Sequence, residues 1–91
     1  MANTYVVIVT LKNAEDVQRE KLGNDMMQKG HVETWEYCFP NSIFLRSSLS
    51  SKQISEIISG MFGERILRLL VARVDEYWGE LPAGYWDIFY K

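Results

Sequence analysis

The first apolar run leaves through YVVIVTLKN (residues 5–13), an exit at which many small α/β proteins place a reactive group. It offers a hydroxyl at Thr10 and an ammonium at Lys12, with no carboxylate among them. A hard dication needs carboxylate oxygens, and the nearest acids, Glu15 and Asp16, stand just past the strand. Acids there also suit a helix start, where they complement the helix dipole, and that reading is preferred to a metal role. His31 and Cys38 are the one imidazole and the one thiol of the chain. Such a pair can act as base and nucleophile. Here they sit seven residues apart around a strand start with no third group to orient them, and Cys38 reads as a half-buried sheet residue. Ser47, Ser48, Ser50 and Ser51 resemble an active-site loop only in composition. A helix cap accounts for Ser50, and a solvated connection for the others. No catalytic residue, metal ligand or cofactor is assigned.

Four arginines, Arg46, Arg65, Arg68 and Arg73, could meet on neighbouring strands as a phosphate-binding patch. The period of two turns Arg68 away from Arg65 and Arg73. Ion pairs with the acidic tail of the same or a partner chain are therefore preferred to nucleic-acid binding. That tail holds Tyr77, Trp78, Tyr85, Trp86, Phe89 and Tyr90, half of the twelve aromatic residues. A base-stacking platform would interleave basic residues, yet Glu76, Glu80 and Asp87 are interleaved instead. The composition fits an interface anchored by aromatic rings. Tyr77, Trp78, Leu81, Tyr85, Trp86 and Phe89 are the expected contact residues, with LPAG (residues 81–84) as the turn that lets the chain cross over.

The elements that must position these groups follow from periodicity. Residues 4–11 read as a central strand covered on both faces. Residues 14–29 read as a helix, interrupted by Gly23 and stopped by Gly30. Residues 32–39 alternate, with Trp35, Tyr37 and Phe39 on one face. Pro40 and Asn41 then turn the chain into a strand over residues 42–46. In LSSKQI, Ser50 and Gln53 form a capping box, flanked by Leu49 and Ile54 as a hydrophobic staple. Ile54, Ile57, Ile58 and Met61 make one apolar stripe, ended by Gly63. Residues 65–74 complete the pattern as a fourth strand. Strand, helix, strand, strand, helix, strand is the ferredoxin-like βαββαβ order, an α+β fold with both helices on one face of the sheet. The chain reads as a single domain (1–91), whose C-terminal tail (75–91) must fold back on its own sheet or lie across a partner's.

Ninety-one residues with 47% apolar and 24% charged side chains suit a small globular domain. A chain of this size buries only roughly 60–65% of its unfolded surface, so self-association would help it. The net charge of −2 lowers the expectation of nucleic-acid binding. No segment has the length of a membrane span, no secretion signal is recognisable, and the lone cysteine fits a reducing cytoplasm.

The stretch from TWEYCFPNSIFLRSS through ERILRLLVARV to GYWDIF resembles the SinR-like branch of the CRISPR-associated adaptation-dimer superfamily, which includes VapD-type toxins. The shared features are an aromatic second strand turning into a third, a Ser-initiated helix, a fourth strand of the RILRLLV kind, and a tail ending in a Trp-hydrophobic pair. The resemblance spans roughly residues 5–89 and implies a ferredoxin-like fold, a homodimer and a prokaryotic, phage or plasmid setting. Members with nuclease activity carry an Asp at the end of the first strand. The matching residue here is Thr10, a poor ligand for the metal that such a nuclease uses. The expectation is a non-catalytic homodimer that acts by contacting another macromolecule as an adaptor or inhibitor. The alternatives are a metal-dependent nuclease using displaced acids and a nucleic-acid-binding dimer without catalysis.

Overall fold

Alternation along the first strand decides the architecture. In β1 (Asn3–Leu11) the side chains of Tyr5, Val7, Val9 and Leu11 are buried, whereas Ile8 between them is 42% exposed. One face of this strand meets a core along its length; the other is covered at Thr4 but open at Ile8. The computed structural model, which describes residues 2–37, 39–81, 84–85 and 87–90, shows why. After β1 come α1 (Arg19–Gln28), β2 (Thr34–Glu36), β3 (Ser42–Ser47), α2 (Ser51–Phe62), β4 (Ile66–Arg73) and a last turn of helix, α3 (Asp87–Tyr90). The four strands form one sheet in the order β2-β3-β1-β4, and every neighbouring pair is antiparallel. Strands linked through a helix do not pair with each other. This small α+β arrangement is consistent with a ferredoxin-like fold.

Both long helices pack on the face formed by Tyr5, Val7, Val9, Ile43 and Leu45. From α2, Ile54 and Ile58 enter that core completely, with Ile57 and Met61 at its border. The α2 N-terminus carries the expected reciprocal cap: Gln53 N donates to Ser50 Oγ at 3.1 Å, and Ser50 N donates to Gln53 Oε1 at 2.9 Å. Gly63 ends the helix with φ +57°. From α1, Leu22 and Met26 are buried, and Gly23 lies under the indole of Trp35. A Cβ on Gly23 would stand 2.5 Å from that ring. The glycine that breaks the sequence pattern of α1 is therefore the seat of β2's aromatic side chain. His31 N donates to Met26 O and Gly30 N to Met27 O, closing α1 with a left-handed residue at Gly30.

Four expectations need correction. The first helix begins at Arg19 rather than residue 14, because Asn13 (φ 61°) and Ala14 (φ 56°) are left-handed and cannot propagate a right-handed helix. The second strand pairs only over Thr34–Glu36. Beyond it Tyr37 N donates to Glu36 Oε1 instead of to the ladder, and Arg19 lies over the Tyr37 ring and donates to the carbonyl of Phe39. Trp35 and Tyr37 remain stacked, but Phe39 crosses to the opposite face and meets Phe44 edge-on. The fourth strand begins at Ile66, leaving Arg65 in the preceding 3-10 turn. Last, the cover of β1 on its second face is incomplete. The tail crosses the helix-free face, with α3 seated against β2 and β3, and Ile8 stays open.

Candidate functional site

The surface that this fold leaves unfinished is the β1–β4 half of the helix-free face. Cross-strand partners share a face, so Val6, Ile8 and Thr10 stand beside Ala72, Leu70 and Arg68 respectively. Leu70 is 56% exposed and Leu67, at the irregular end of β4, 53%. Both sit on the sheet's outer strand. Natural sheets protect such edges with charge, proline or brevity. The other edge, β2, is three residues long, whereas β4 runs for eight and reads ILRLLVAR.

The tail finishes the other half. Thr4 Oγ1 donates to Ile88 O at 3.1 Å and accepts from Arg46 Nη1 at 3.4 Å, fixing α3 over the start of β1. Phe89 meets Phe44 edge-on and stacks on Tyr77 with centroids 4.2 Å apart. Of the expected contact residues, Tyr77 and Phe89 thus pack on the chain's own sheet. Leu81 and Tyr85 are half-buried, and Trp78 stands 97% exposed. Trp86 and residues 82 and 83 of the expected 81–84 turn lie outside the described residues. Trp78 rims an apolar hollow of about 140 Å³ lined by Phe39, Phe44, Val74, Tyr77, Leu81 and Phe89. A large ring in water beside an apolar hollow is the form of an interface anchor.

The arginines do not converge. Arg65 pairs with Glu15 at 2.9 Å, Arg73 with Asp75 at 2.9 Å, and Arg46 approaches Glu33 at 3.9 Å. Among the described residues the expected ion pairing with the acidic tail is made by Arg73; Arg65 and Arg46 meet acids elsewhere in the chain. Among the described residues Arg68 has no such pair. One open cation beside an apolar stripe is a weak holder of phosphate, which is bound best by several positive groups together.

Thr10 is opposite Arg68, and its Oγ1 is buried without a hydrogen-bond partner among the described residues. Glu15 and Asp16 occupy an extended segment ahead of α1 rather than its first turn, which corrects their reading as helix-start acids. They line a cleft of about 290 Å³ with Lys21, Asp25 and Arg65, where the Arg65 guanidinium is already bonded to Glu15. Among the described residues no three His, Cys, Asp or Glu side chains gather as a ligand set. Cys38 lies outside the described residues. His31 contributes its carbonyl, which accepts from Ser47 Oγ at 2.6 Å.

Ser47 departs from the solvated connection expected for it, whereas Ser48 is exposed as expected. Ser47 is fully buried, and its hydroxyl also accepts from Leu49 N at 3.1 Å. Sequence reasoning looked for open apolar surface in the tail and missed the exposed side chains of Ile8, Leu67 and Leu70. The signal was present: in the strand order that the pattern implied, the last strand is an edge, and ILRLLVAR lacks the alternation of a protected one. Among the described residues no helix is long and apolar enough to cross a membrane. Set against protein-family models, curated proteins and solved structures, the chain matches none of them.

Proposed function

We propose that this chain is a non-catalytic, homodimeric binding protein with a ferredoxin-like βαββαβ core and an aromatic C-terminal extension, acting by macromolecular contact. One observation carries the reading: an eight-residue edge strand, apolar but for Arg68 and Arg73, continuous with an exposed aliphatic stripe, Ile8 and Leu70 side by side. Contiguous apolar surface of this kind marks a place where another protein surface belongs. Trp78 and the hollow beside it supply a second exposed apolar surface. The resemblance to SinR-like and VapD-like proteins supports a cytoplasmic adaptor or inhibitor in a prokaryotic, phage or plasmid defence-related setting. At the position where that resemblance would put a metal-binding acid, Thr10 offers a hydroxyl that has no hydrogen-bond partner among the described residues.

The distinguishing assay is incubation with single-stranded RNA and with duplex DNA in magnesium or manganese. Both substrates should stay intact. Cleavage that disappears in Glu15→Ala or Asp16→Ala would overturn the non-catalytic reading and put the displaced acids to work.

A further inference from the structure

We infer that two copies of this chain join edge to edge, β4 pairing antiparallel with β4 of the second copy about an axis at Leu70, to make one continuous eight-stranded sheet. The inference rests on the homodimer reading and adds the surface and the register. It starts from the backbone. Val74 N donates to Thr4 O at 2.8 Å across β1 and β4, so the even-numbered residues of β1 turn their polar backbone groups towards β4. Their partners Leu70 and Ala72 turn theirs back. Leu69 and Val71, in alternation, direct N–H and C=O outward, and among the described residues no strand meets them.

Self-pairing must keep each face of the sheet continuous, which restricts the registers. With the axis at Leu70, the outward groups of Leu69 meet those of Val71. Arg68 falls opposite Ala72, and Arg73 opposite Leu67. An axis at Arg68 would set that guanidinium against its own copy, a destabilising like-charge pair. An axis at Leu69 would run the ladder past Leu67 into Ile66, the end where β4 departs from regular pairing with β1. The Leu70 axis avoids both and brings the two most exposed sheet leucines together. It also extends the stripe from Ile8 through Leu70 to the same pair in the second copy. A second copy can occupy this edge without setting like charges against each other, because in this register the strand's own sequence supplies an apolar residue or alanine opposite each arginine. The short β2 edge offers no such length.

The test is a disulfide. In a Cys38→Ser chain, Leu70→Cys puts a thiol beside its own copy, where the Cα atoms of a non-hydrogen-bonded antiparallel pair lie about 4.5 Å apart, within reach of a disulfide. Mild oxidation should convert most of the Leu70→Cys chain to a covalent dimer. Leu67→Cys in the same background should give little, since its copy lies six residues away, roughly 20 Å along the strand. Leu70 is exposed, so folding is not at stake, and circular dichroism checks it. Sedimentation of the unmodified chain runs in parallel. A dimer whose Leu70→Cys form fails to cross-link, or whose Leu67→Cys form cross-links as fast, would overturn the edge pairing and leave the homodimer standing. A monomer, with the edge left for a strand of some other protein, would overturn both.

Discussion

Cutting Ile58 back to alanine will lower the unfolding free energy by about 3 kcal/mol, within the range found for large-to-small changes in packed cores. Ile58 is fully buried, and with Ile54 it is the part of α2 that enters the core under β1 and β3. The deletion removes apolar contact and leaves a void that the sheet beneath cannot collapse into, since Val7, Ile43 and Leu45 are themselves fully enclosed. A domain of this length is held by roughly 5–14 kcal/mol, so the loss takes a large share of the whole. Equilibrium urea unfolding measures it through the midpoint. A loss under about 1 kcal/mol would mean that α2 does not pack on the sheet as described.

The second large effect belongs to Gly23. Valine there should destabilise by about 3 kcal/mol, the upper part of the range for inserting atoms into packed space. The first added carbon already falls 2.5 Å from two atoms of the Trp35 ring and 2.7 Å from a third. These are atoms near the root of the side chain, not a flexible end that can step aside. The indole is also held by Trp35 Nε1 donating to Asn24 Oδ1 at 3.1 Å, so pushing it out sacrifices a hydrogen bond and the stacking on Tyr37. Against that, leaving glycine raises helix propensity by a few tenths of a kcal/mol for valine, too little to compensate. The same urea titration applies. A valine variant as stable as the parent would show that α1 and β2 do not meet at this point.

Gly23 also shows where sequence reading runs out. A glycine within a helical stretch can be read only as an interruption until the residue lying on it is known, and Trp35 reaches it from another element. The clearest local signals were the ones that survived. Ser50 and Gln53 sit at capping spacing, and the stripe Ile54, Ile57, Ile58, Met61 faces the core as its period requires. Errors came where non-local groups overrule the local pattern. Arg19 and Glu36 draw the chain out of the second strand, and two successive left-handed residues delay the first helix. For the contact surface, the aromatic content of the tail was legible, but its destination was not. Phe44, in another strand, takes up Phe89, which stacks in turn on Tyr77, while the open aliphatic surface falls on β1 and β4. Exposure of Ile8 depends on how far the tail reaches, and periodicity along one strand carries no information about that.

If this chain works as a pair bound through its own sheet edge, its mass in solution must show it. Sedimentation equilibrium at micromolar concentration should return twice the chain mass of 10.6 kDa, and Leu70→Lys, which places a cation against its own copy on the axis, should return the single-chain mass with an unchanged far-ultraviolet spectrum. A single-chain mass for the unaltered protein across that range would contradict the account, as would a Leu70→Lys dimer as tight as the parent.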